Sequence, residues 1–140
     1  MSLARHSAKT WDHLAAEALA ARRHAYAPYS RFKVGAALLT ETGEIVRGCN
    51  VENASFGLSV CAERSAMMSA VAAGHTCFTA LAVATASSPP SPSCGMCLQF
   101  MAEFCVDLEL LLVSTAGERR RVRLSQLLTR PFRWRGAGTS

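Results

Sequence analysis

Between residues 8 and 25 the apolar positions fall at Trp11, Leu14, Ala15, Ala18, Leu19 and Ala21. That spacing marks one face of a helix, and Pro28 is expected to end it. The period then changes. Two apolar runs, 34–40 and 44–50, flank Glu41-Thr42-Gly43 and predict a hairpin. Residues 53–60 read as loop. Residues 61–74 read as a second helix with Gly74 at its C-terminal end. A buried strand is predicted over 78–86, a stiff Pro/Ser loop over 87–93, and a third helix over 94–105. Two more strands, 108–115 and 119–124, surround Ala116-Gly117, and a short helix is expected near 125–128. The order α-β-β-α-β-α-β-β-α implies an α/β fold with a mixed five-stranded sheet covered by helices.

Composition narrows the class. The chain has 140 residues, half of them hydrophobic and 18% charged. That suits one domain spanning 1–140, with 1–7 and 135–140 expected as loose ends. No apolar run has the length of a membrane span, and residues 1–9 carry no apolar block of a signal peptide. The expected setting is the cytoplasm, with no membrane partner. There, six cysteines point to metal, catalysis or burial before disulfides. The net charge is +5, and seven arginines lie between Arg119 and Arg135. No aromatic residue interrupts the 119–123 run as a stacking platform, so no nucleic-acid partner is expected.

Cys94 and Cys97 stand three apart behind the Pro/Ser loop. They share one side of a helix's first turn, and Ser93 is the expected N-cap. A helix N-terminus favours thiolates, the form that binds metal. A redox dithiol, half a structural zinc site or part of a catalytic one all fit this pair. Cys61 and Glu63 open another predicted helix. Two residues apart they can share a site only where that helix begins. Three thiolates would leave a fourth zinc position for water, and an unligated Glu63 could move protons beside it. His6, His13, His24 and His75 have no ligand-like spacing to these cysteines. Cys49, Cys77 and Cys105, in or beside apolar segments, read as small core residues.

The stretches AYAPYSRFKVGAALL, GCNVENAS, CAERSA, CGMCLQ and LLTRPF run in order from Tyr26 to Phe132. Together they resemble the small homotetrameric cytidine deaminases, one of the zinc deaminase classes. The resemblance implies a three-layer α/β/α fold and one zinc ion per chain on Cys61, Cys94 and Cys97. It implies Glu63 as proton shuttle, with Arg64 hydrogen-bonding the sulfurs. It implies that Phe32 packs on the pyrimidine, that Asn50 and Glu52 hold ribose hydroxyls, and that the Ala54 backbone meets the base edge. The ring of Phe132 would enter a neighbouring subunit's pocket. The implied reaction is deamination of cytidine, and of 2′-deoxycytidine, in pyrimidine salvage. A carboxylate at Glu52 suits a free nucleoside better than a phosphorylated or polymeric one. The alternatives are a deaminase of a cytosine-nucleoside antibiotic and a noncatalytic zinc or redox module.

Two positions depart from the pattern. Ser93 replaces a proline, and Leu98 replaces an arginine after the second cysteine. Either Arg64 carries a larger electrostatic share, or Leu98 faces the core or a subunit interface and has no part in the metal site.

Overall fold

The computed structural model describes residues 5–136. In chain order the elements are α1 (Ala8–Arg22), β1 (Gly35–Thr40), β2 (Ile45–Cys49), α2 (Ala62–Ala72), β3 (Phe78–Thr85), α3 (Gly95–Phe104), β4 (Glu109–Ser114), β5 (Arg119–Arg123) and α4 (Leu124–Leu127). The five strands form one sheet in the order β2-β1-β3-β4-β5. Only β3 and β4 run parallel; the other three pairings are antiparallel. The sheet is therefore mixed, and the element order is the one the periodicity predicts.

Side-chain alternation builds two cores from this sheet. Ala36, Leu38, Leu81, Val83, Leu110 and Leu112 face one side and pack with Ala66, Met67 and Ala70 of α2 and Met101 of α3. Ala37, Leu39, Ala80, Ala82, Ala84, Leu111 and Val113 face the other and pack with Trp11, Leu14, Ala15 and Ala18 of α1. Helices thus cover both faces, giving three layers. Small residues let two helices sit close. A Cβ on Gly35 would lie 2.0 Å from the Ala18 carbonyl oxygen of α1.

Some boundaries differ from the sequence reading. Helix α1 ends at Arg22, well before Pro28. Tertiary pairing ends it: Tyr26 bridges Val51, with its N–H on the Asn50 carbonyl and its carbonyl receiving the Glu52 N–H. The 53–60 loop contains a 3-10 turn at Phe56–Leu58. Cys105 is buried and Cys49 partly so, but Cys77 is exposed. It sits in the turn before β3, where its carbonyl takes the Glu41 N–H at 3.1 Å. Of the expected loose ends, 1–4 and 137–140 lie outside the described residues, while Ser7 caps α1 through a bond from Thr10 N at 3.2 Å.

Candidate metal and nucleoside site

Cys61 is the N-cap of α2 and Cys94 the N-cap of α3. Both have extended backbone, so their side chains leave the helix start rather than its flank. Ser93, the cap expected from sequence, lies one residue earlier; it is buried, with its hydroxyl beside the Glu63 carboxyl. The cap position falls to Cys94 because the Leu98 N–H bonds the Cys94 carbonyl at 3.0 Å. Cys97 then follows one turn later, fully buried. The two helix starts bring three sulfurs together. Cys61 Sγ and Cys94 Sγ are 3.7 Å apart, Cys94 Sγ and Cys97 Sγ 3.5 Å, and all three lie within 4.8 Å of one another.

That triangle fits zinc. A tetrahedral ion with Zn–S near 2.3 Å separates its sulfurs by about 3.8 Å. At Cys61 the surrounding bonds also favour thiolate. A bond from the Cys97 thiol lowers Cys61 to about 5, and a bond from Arg64 adds to this. The same sharing, with burial, pushes Cys97 up. Arg64 Nη2 reaches Cys61 Sγ at 3.8 Å and the Ser59 carbonyl at 3.3 Å. Leu98 points elsewhere. It is 6% exposed and packs in the core between α2, α3 and the sheet, so the apolar reading of that position holds.

Beside the sulfurs, Glu63 is 4% exposed. Burial raises its pKa, with the nearby Ser93 hydroxyl partly opposing the shift. Burial disfavours the charged form, which suits a group that must alternate between carboxylate and carboxylic acid. Glu63, Cys61 and Cys94 line a cavity of about 280 Å³. Phe32, Asn50 and Glu52 also line it. Sequence reasoning did not find Ser30, Val34, Thr85, Ser91 and Pro92, which share that lining. Ser30 and Val34 lie inside one of the stretches that carry the resemblance, whereas Thr85, Ser91 and Pro92 lie in none of them.

Not every expected residue meets this cavity. Ala54 is exposed in the loop beyond Glu52 and is not part of the lining. Phe132 is 69% exposed, with its backbone clamped by Gln99: Nε2 donates to the Phe132 carbonyl at 2.8 Å and Oε1 accepts from the Phe132 N–H at 3.0 Å. Its ring does not line this chain's own cavity.

A family model described as the cytidine and deoxycytidylate deaminase zinc-binding region matches residues 9–112, which contain all three cysteines and Glu63. The chain belongs to this deaminase family. Among its relatives, a cytidine deaminase of Halalkalibacterium halodurans is 46% identical over 117 residues, covering 83% of this chain and 89% of that protein. A cytidine deaminase of Sporosarcina psychrophila is 43% identical over 122 residues, covering 86% and 90%. The crystal structure of a cytidine deaminase from Burkholderia pseudomallei superimposes with a TM-score of 0.84 at 48% identity, covering 86% of this chain and 98% of that one. For this deaminase chain, the three-cysteine cluster inside the matched zinc-binding region is the place for one zinc ion.

Proposed function

We propose that the chain is a hydrolase that converts cytidine, and 2′-deoxycytidine, to the corresponding uridine and ammonia. The observation that carries the reading is a buried, unligated Glu63 beside three converging cysteines at the wall of one small cavity. A zinc ion on those cysteines supplies Lewis acidity and a water of lowered pKa. The remaining work falls to side chains. Glu63 takes a proton from the attacking water and passes it to N3 of the pyrimidine. The same carboxyl then takes the proton of the hydroxyl now on C4 and gives it to the amino group, and the C4–N bond breaks to release ammonia as the C4 carbonyl forms. Water has then replaced the amine at C4, and Glu63 ends as it began.

Phe32 offers an apolar face to the base, and Asn50 and Glu52 offer one donor–acceptor pair and one carboxylate to the sugar. The apolar lining and the Glu52 charge favour an uncharged nucleoside. The reading includes a homotetramer in which Phe132 enters a neighbour's cavity and Ala54 meets the base edge. It is supported by the exposed Phe132 ring on a pinned backbone and by exposed Met96, Leu58 and Val51. A free-nucleoside substrate suits pyrimidine salvage, and the reading places the enzyme in the cytoplasm. Among the described residues no helix is long and apolar enough to cross a membrane.

The test is a spectrophotometric deamination assay with metal analysis. One zinc per chain is expected, with kcat for Glu63→Gln reduced by roughly 10²- to 10⁴-fold at unchanged zinc content. A zinc-loaded chain inert to both nucleosides would sink the proposal.

A further inference from the structure

Glu52 is read above as a sugar ligand, yet its carboxylate is already heavily used. Tyr29 N and Ser30 N donate to Oε1 at 2.9 and 3.1 Å, and Ser30 Oγ donates to Oε2. Ser30 Oγ in turn accepts from Phe32 N at 3.0 Å. Two residues before Glu52, Asn50 grips the same segment: Nδ2 donates to the Phe32 carbonyl and Oδ1 accepts from Val34 N, both at 2.8 Å. Between these two grips Arg31 holds φ at 58°, a backbone state that side chains other than glycine's disfavour. Such a turn persists only where surrounding bonds impose it.

From this we infer that Ser30 is a positioning residue for nucleoside binding, acting through Glu52 and Phe32. The geometry gives it two effects. Oε1 carries two donors and is saturated, whereas Oε2 carries Ser30 and can accept one more. The Ser30 hydroxyl therefore fixes the direction in which Oε2 remains open to a sugar hydroxyl. By accepting from Phe32 N it also ties the ring against the base to the carboxylate against the sugar. Binding of the two halves of the nucleoside is coupled through one hydroxyl group.

The inference rests on the reading of this cavity as a cytidine site, and the experiment separates the two. Steady-state kinetics of the zinc-loaded enzyme are compared for wild type, Ser30→Ala and Ser30→Thr, on cytidine and on 2′,3′-dideoxycytidine. Ser30→Ala should lose about 10-fold in kcat/KM on cytidine, mostly through KM, the scale of one hydrogen bond to a charged group. On the dideoxynucleoside, which brings no ring hydroxyl to Glu52, it should lose only about twofold, reporting the Phe32 tie alone. Ser30→Thr keeps the hydroxyl and should restore the cytidine value. Equal losses on both substrates, or a loss in kcat alone, overturn the positioning role while leaving the cytidine site standing. A wild-type enzyme that turns over neither substrate overturns the site reading and this inference together. Thermal unfolding checks the fold, and if Ser30→Ala is misfolded, Ser30→Cys, with a weaker donor, reads the same substrate ratio.

Discussion

Gly48 lies in β2, directly under the start of α2. A Cβ built there would sit 2.4 Å from Ala66 N, 2.5 Å from the Ala62 carbonyl oxygen and 2.9 Å from Ala66 Cα. These are backbone atoms, so no rotamer change relieves the clash. Ordinary contact begins near 3.5 Å, and the intrusion is therefore about 1 Å. Either β2 or the first turn of α2 must move by that amount. The helix start carries Cys61 as its cap, with Glu63 and Arg64 in the first turn. Gly48→Ala is expected to cost about 1–3 kcal/mol in stability, the range for overpacking a filled site. Displacing a proton carrier by about 1 Å is worth about 10² in rate, so kcat should fall more than the melting temperature suggests. The matched control is Gly57→Ala, where an added Cβ meets nothing within 4 Å; it should leave both quantities unchanged. The assay is thermal unfolding beside kcat and zinc content. A Gly48→Ala enzyme with wild-type melting temperature and wild-type kcat would show that the close approach does not position the site.

Arg64→Gln removes the cation beside Cys61 Sγ. It should weaken zinc retention by about 10- to 100-fold, as loss of support around a metal ligand commonly does, measured by competition with a chromogenic chelator. Prolonged dialysis against a strong chelator should abolish deamination, and added zinc should restore it; activity that survives complete metal removal would contradict the zinc assignment. Burial would raise the pKa of Asp107, but bonds from Ser125 N at 3.0 Å, Ser125 Oγ at 2.8 Å and Leu108 N at 2.9 Å outweigh it and hold the carboxyl below its ordinary value. A carboxyl with a lowered folded-state pKa stabilises fully above its unfolded value, near 4. That contribution is lost as pH falls through the lower folded value. The gap in melting temperature between wild type and Asp107→Asn should therefore narrow as the pH drops below about 4; a constant gap from pH 7 to 3 would rule this out.

Much of the fold could be read from the chain because both signals were strong. The near-continuous apolar runs of β1, β3 and β4 place apolar residues on both faces, as a sheet covered on both sides requires. The metal site was legible because the cysteines stand at two predicted helix starts and inside stretches that resemble the zinc deaminases. What escaped depended on contacts distant in sequence. Nothing before Pro28 announces that Tyr26 will pair with Val51 and stop α1 early. Cys77 looked apolar by its neighbours, yet it falls in a turn that β1 only partly covers. Ser93 has every local credential of a cap, and only the Leu98-to-Cys94 bond shows that the helix starts one residue later. Ser30 gave no signal beyond its place in the AYAPYSRFKVGAALL stretch, because its importance lies in meeting Glu52, 22 positions away.

The arginines of β5 have a consequence outside catalysis. β5 is one end of the sheet, where unpaired backbone groups could template another strand. Arg119 is held to Asp12 at 2.5 Å, and Arg121 to Glu109 at 2.8 Å while lying over Trp11. Arg120 and Arg123 are exposed on the same strand. A second copy approaching that border would bring a like-charged row against this one. A charged border of this kind is expected to disfavour sheet extension through β5. Its strength should fade as added salt shortens the reach of the charges.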